Sequence, residues 1–291
     1  MALNVHPGYR GYAVIAGILG NGFRFSDANI AVKQEVLIPD MIMGDWDRDA
    51  YAYGQVSVNG SIAGPVTQSF ADAGGILTWA TNRDTCGEID KHDVTLYYYC
   101  GGGTTSRSFT DMCVNSLNFS CAAGDIANFS IDVIAKAAGS WTGGYPSNLG
   151  TSGGPYQSEK IVTWDQVGAS ISGSGPGASA LTNAAWSNVD FTISNNVEAV
   201  YAIESSATLF PYEIVPGLRT INGTLTLYDV AAVDGVNSWG GYSAGTTSTV
   251  TFTIGSLTLA IKCQLHRIEP TSSVGPITST IGFTGVTHQS W

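Results

Sequence analysis

Apolar residues recur at every second position along most of this chain. Val189, Phe191 and Ile193 alternate with Asp190, Thr192 and Ser194, and Val250, Phe252 and Ile254 alternate with Thr251 and Thr253. Leu257, Leu259, Ile261, Cys263 and Leu265 alternate with Thr258, Lys262, Gln264 and His266, and Phe129, Ile131 and Val133 with Ser130 and Asp132. A period of two rich in β-branched and aromatic residues gives strands with one face in a core and one face outside it. The expectation is an all-β fold. Helical spacing is rare: a short helix fits near Phe70 to Ala80, weakened by Gly74-Gly75. Tyr12 to Leu19 is a short apolar run with no Lys or Arg cluster before it, and polar Asn21, Arg24 and Asp27 follow. It reads as a strand or buried first segment rather than a secretory signal.

Composition removes several function classes. Of 291 residues, 44% are hydrophobic and only 12% charged, roughly half the usual charged share. Aromatic and β-branched residues are too frequent for a disordered acidic chain. Twelve Lys and Arg against 23 Asp and Glu give a net charge of -11, the wrong sign for gripping duplex DNA. No apolar stretch reaches the roughly 18 to 20 residues of a membrane-spanning helix. The five cysteines, Cys86, Cys100, Cys113, Cys121 and Cys263, are odd in number and lack CxxC spacing, so they read as reduced core or loop thiols.

An internal repeat organises the strands. Val56-Ser-Val-Asn-Gly-Ser-Ile62 matches Arg219-Thr-Ile-Asn-Gly-Thr-Leu225. Upstream of each lies a strand-like block, Phe23 to Val32 and Val189 to Val197, and between them prolines, Pro39 in one and Pro211 with Pro216 in the other. Downstream, Val94 to Tyr99 echoes Val250 to Ile254, and each copy ends with two more strands, Leu117 to Ile134 and Leu257 to Val286. The sequence between is Gly-rich, from Gly139 to Pro155, and reads as a linker; Ser170 to Ser179 reads as a mobile hairpin or loop. The expected organisation is two tandem domains, 1–150 and 151–291. Asn59-Gly60 and Asn222-Gly223 are turn dipeptides in isolation, although a glycine within a strand also marks a bulge.

Catalytic constellations are missing from the sequence. His6, His92, His266 and His288 are scattered without a second ligand at metal spacing; His266 is expected on the polar side of its strand. Gly101-Gly102-Gly103-Thr104-Thr105 lacks the lysine and following helix of a phosphate loop and reads as a hairpin connection. Asp45, Asp47 and Asp49 lack the glycine and distal glutamate of a calcium loop. No two carboxylates stand out as a hydrolase pair. The expectation is a non-enzymatic protein without cofactor or metal.

The run Phe109 to Ile134, a strand, a small-residue turn with Gly124-Asp125 and a returning strand, resembles the tail tube proteins of tailed bacteriophages. Pro211 to Leu227 and the closing run Gly275 to Gly285 are similar to the same family, and the resemblance spans most of residues 20 to 290. It implies two tube-like β-sandwich or partly closed barrel domains contributing strands to a ring barrel, with rings stacked around a channel for DNA. It also implies a virion location after assembly in the host cytoplasm. The implied partners are other copies of the chain, a tape-measure protein, tail initiator and terminator proteins, and a sheath if the tail contracts. Two domains per chain would make three chains a pseudo-sixfold ring. DNA would pass without specific binding, and net acidity turned inward would repel phosphates. Asp132, Asp190 and Glu198 are the candidate lumen-facing acids.

Two other readings compete. One is a baseplate hub or tube-initiating protein, also built of paired tube domains. The other is a carbohydrate-binding adhesin using Trp141, Tyr145, Trp239 and Tyr242 as a sugar platform. A glycoside hydrolase ranks third.

Overall fold

A computed structural model describes residues 10–15, 23–37, 52–67, 75–84, 86–100, 103–143, 160–173, 185–203, 209–228, 248–268 and 279–288. The described strands are β1 (Arg10–Ile15), β2 (Phe23–Phe25), β3 (Asp27–Leu37), β4 (Ala52–Pro65), β5 (His92–Cys100), β6 (Gly103–Ala122), β7 (Asn128–Ala135), β8 (Ala137–Ala138), β9 (Thr142–Gly143) and β10 (Val167–Gly173). They continue with β11 (Trp186–Ser194), β12 (Glu198–Val200), β13 (Glu213–Val215), β14 (Thr220–Leu227), β15 (Ser248–Ile254), β16 (Leu257–Ile268) and β17 (Ser279–His288). One α-helix is described, α1 (Ile76–Thr81), beginning directly after Gly75, and a short 3-10 turn lies at Trp164–Gln166. The apolar run near the N-terminus supplies β1. Fifteen strands form one open antiparallel sheet, and β12 and β13 form a separate ribbon.

The alternation translates directly into burial. In β15 the pattern is buried at Val250, Phe252 and Ile254, with Thr251 and Thr253 turned outward. Gly255 adopts φ +59° in the two-residue turn joining Ile254 to Leu257, a conformation that glycine reaches without a Cβ clash. Gly124, at φ +86°, does the same between β6 and β7.

Both halves of the chain order their strands alike. In the first half the neighbours run β1-β5-β6-β7-β4-β3, and in the second β10-β15-β16-β17-β14-β11. With β2, β8 and β9 set aside in the first half and the β12–β13 ribbon in the second, both read in chain order first, fourth, fifth, sixth, third, second. The registers agree as well. Ile62 lies opposite Ala28 and Ile131, and Leu225 lies opposite Val189 and Ile281. Val94 faces Ile15 as Val250 faces Ile171. Both Asn-Gly dipeptides lie within strands, Gly60 between Ile30 and Val133, Gly223 between Phe191 and Phe283.

Those two glycines are required by close approach. A Cβ on Gly60 would sit 2.0 Å from the Asn29 carbonyl oxygen. On Gly223 it would sit 2.2 Å from the Phe283 ring and 2.5 Å from the Asp190 carbonyl oxygen. Turn propensity is a local quantity; here pairing on both sides overrides it.

Strand β6 joins the halves. Along one edge it pairs first with β5 and then, over Ser116 to Ala122, with β11; along the other it pairs with β7, β8 and β9. The larger buried apolar cluster draws on both halves, as does a small second one of Ile89, Cys113, Val197 and Ile214. The aromatic spine of the larger cluster runs Phe119 to Phe191 (ring centroids 5.0 Å), Phe191 to Phe252 (4.9 Å) and Phe252 to Phe283 (5.7 Å).

Candidate functional site

Because the core takes every second side chain, the remaining positions of β6, β7, β11, β14, β16 and β17 share one opposite face. It bears Asn118, Ser120, Thr192, Asn222, Thr224, Thr284 and His266, which line a shallow groove together with Asp190. Hydroxyls and amides bond one another across strands: Thr192 Oγ1 donates to Asn118 Oδ1 at 2.6 Å. Six of these eight side chains are uncharged hydroxyls or amides, and Phe119, Phe191, Gly223 and Phe283 also line the groove.

Two of the three sequence-nominated acids stand on this face. Asp132 lies opposite Ser116, whose Oγ donates to its carboxylate at 2.6 Å. Asp190 lies opposite Ser120 and Thr224 and accepts from the Asn188 side-chain amide. Burial pushes the Asp190 carboxyl above the usual range, and the Asn188 bond opposes that shift without cancelling it. Glu198 belongs to the separate β12–β13 ribbon, where it is exposed. The main sheet therefore places Asp132 and Asp190 on one face, opposite residues four apart along β6, and leaves Glu198 elsewhere.

The ribbon is tied down by a buried amide with no signature in the sequence. Asn195 is fully buried. Its Nδ2 donates to the carbonyls of Ala80 (2.8 Å) and Val114 (2.9 Å), and its Oδ1 accepts from Arg219 Nε (2.8 Å). Burial lowers Arg219 to about 10, with the Arg83 charge adding to it. Lys91 pairs with Glu213 nearby. Beyond these anchors the segment exposes Ile203, Leu218 and Tyr212, as other parts of the chain expose Val36, Leu37, Trp141 and Trp164.

The remaining sequence candidates do not assemble into a reactive site. Among the described residues no three His, Cys, Asp or Glu side chains are grouped to hold a metal. His266 is exposed on the polar face. Cys100 pairs with Gly103, and Gly103, Thr104 and Thr105 belong to β6, so β5 and β6 form a hairpin; Gly101 and Gly102 lie outside the described residues. So do Asp45, Asp47 and Asp49, Tyr145, Trp239, Tyr242, His6 and most of the Gly-rich segments. Trp141 is exposed, with the Arg107 guanidinium over its ring at 5.4 Å and Tyr98 at 5.6 Å. Cys113, Cys121 and Cys263 are buried free thiols and Cys86 is an exposed one.

Sequence reasoning also missed a strand edge. Among the described residues β3 pairs with β4 alone, and its apolar positions Ala28, Ile30 and Val32 are only partly buried against the core. The signal was present in the repeat, since the matching strand β11 is buried at every such position.

An extended antiparallel sheet with one face in the core and one largely polar face defines an all-β protein, and among the described residues β3 is left with one edge unpaired. The family model described as "Phage tail tube protein" matches residues 14–285. The chain belongs to the phage tail tube protein family. Its place is accordingly the virion tail, and its family role is structural. Among curated proteins none matches the chain.

Proposed function

We propose that this chain polymerises as stacked rings into a phage tail tube whose bore conducts DNA during ejection, and that it does so without catalysis. The observation that carries the reading is the shared strand order and register of the two halves, within a chain of the tail tube family. On this reading the chain is a tandem duplication of one tube domain, divided near residue 150. Three chains then supply six domains to a ring. The low charged fraction suits surfaces covered by further copies of the chain.

The polar face is the channel wall. Ser, Thr and Asn offer hydrogen bonds to water without positive charge, and Asp132 and Asp190 repel phosphates, so DNA slides past without a grip. Glu198, on its own ribbon, is not part of that wall. Assembly takes place in the host cytoplasm around a tape-measure protein, from an initiator to a terminator, inside a sheath if the tail contracts.

Negative-stain microscopy of the purified protein, alone and with its tail initiator, is the test. Hollow rods of stacked rings are expected. A monomer at high concentration even with initiator overturns the reading, and closed trimers that never elongate replace it with a hub.

A further inference from the structure

The junction between the halves contains the plan of a second junction. Inside the chain, β11 pairs antiparallel with the part of β6 that lies beyond β5: Ser194 opposes Ser116, Ile193 opposes Leu117, and Thr192 opposes Asn118. Covered in this way, Val189, Phe191 and Ile193 are at most 4% exposed. By register, β3 corresponds to β11, with Ala28, Ile30 and Val32 in the places of Val189, Phe191 and Ile193. Likewise β16 corresponds to β6. His266 opposes Gly282 as Ser116 opposes Asp132, and Arg267 opposes Ile281 as Leu117 opposes Ile131.

The two counterparts are each left half-covered. On the edge where β5 gives way to β11 along β6, β15 leaves β16 at Cys263, and no described strand follows it over residues 264–268. Strand β3, for its part, has no described partner on the side away from β4. An open edge carrying half-buried apolar residues favours pairing with another strand.

We infer that β3 of one copy pairs antiparallel with the open edge of β16 of a second copy, in the register that β11 uses on β6. Lys33 then opposes His266, Val32 opposes Arg267, and Ala31 opposes Ile268. The contact joins two different edges, so it is heterologous, and it closes into a ring when the rotation per junction divides a full turn. It rests on the tube reading and deepens it: three junctions within chains and three between them make a pseudo-sixfold ring.

Cysteine cross-linking tests the register. Lys33 and His266 are both exposed, and directly opposed residues in an antiparallel pair bring their Cβ atoms to about 5 Å, close to disulfide reach. A full-length chain carrying Lys33→Cys and His266→Cys is assembled, oxidised mildly and run on a non-reducing gel, beside each single variant and an out-of-register Asn29→Cys/His266→Cys pair. The expected result is a ladder ending at three chains, given by Lys33→Cys/His266→Cys alone. Tubes that form without that cross-link, or that give it equally from the Asn29 pair, overturn the junction while leaving the tube intact. Wild-type protein that forms neither rings nor tubes overturns the tube reading itself. If the double variant fails to assemble, hydrogen exchange on the wild type decides: the alternate amides within residues 28–33 that point away from β4 are expected to slow at least tenfold on assembly, and unchanged exchange overturns the junction.

Discussion

The Phe119 and Phe191 rings stack at 5.0 Å with their planes 17° apart, and the two residues also face each other across the β6–β11 pair. One contact therefore couples the halves of the chain through both backbone and side chain. Replacing either ring by Ala leaves a cavity in a fully buried position and is expected to cost about 3–5 kcal/mol. The double variant should lose less than the sum of the singles by about 0.5–1.5 kcal/mol. Chemical denaturation of the four proteins measures this, and strict additivity refutes the coupling.

Gly60 and Gly223 both exclude a side chain, by different neighbours. At Gly60 the three nearest atoms all belong to backbone, whereas at Gly223 the two nearest belong to the Phe283 ring, which has some freedom to move. Gly60→Ala and Gly223→Ala should each destabilise by about 1–3 kcal/mol, with Gly60→Ala the more damaging. Equal or reversed losses in parallel melts would contradict the close approaches described.

Asp190 gives stability a pH dependence of known sign. Burial raises its folded pKa above the ordinary aspartate value of 3.8, so the folded state holds the proton more tightly than the unfolded state. Its contribution is fully present below pH 3.8 and is lost as pH rises through the folded value. Asp190→Asn should therefore melt higher than wild type at pH 7, with the gap closing below pH 4. A variant that melts lower at pH 7 rules out burial as the dominant influence.

Thiol reactivity should separate the cysteines. Burial pushes Cys113 up to about 12 and Cys121 and Cys263 up to about 11. At pH 8 a pKa of 11 leaves roughly one thiolate in a thousand. Iodoacetamide followed by peptide mass mapping should label exposed Cys86 in the folded protein and spare those three. Comparable labelling of all four would mean that this core is open to solvent.

Charge reversal tests the channel wall. Asp132→Lys places a cation where the proposed bore meets DNA, and virions carrying it should assemble yet eject DNA more slowly, more so at low salt. Ejection at the wild-type rate across salt concentrations removes Asp132 from the wall.

Much of the fold was legible because alternation is a local property. The positions nominated as inward, from Val189 to Ile193 and from Val250 to Ile254, are the buried ones. The turn at Gly124-Asp125 and the β5–β6 hairpin, whose last described pair is Cys100 with Gly103, also follow from nearby residues. Asn195 shows the limit. Its partners Ala80 and Val114 lie 115 and 81 residues away, and nothing around Asn195 in the chain distinguishes it from a surface amide.

By itself the sequence determined that the chain is all-β, which residues of each strand turn inward, and which family it resembles, because side-chain direction alternates with every residue. Tertiary structure decided what alternation leaves open. It put Gly60 and Gly223 in mid-strand, carried β6 across both halves, and set Asp132 and Asp190 on one face with Glu198 on another sheet. Those outcomes depend on which strands pair and in what register, and a strand's own residues specify its inward face but not its neighbour.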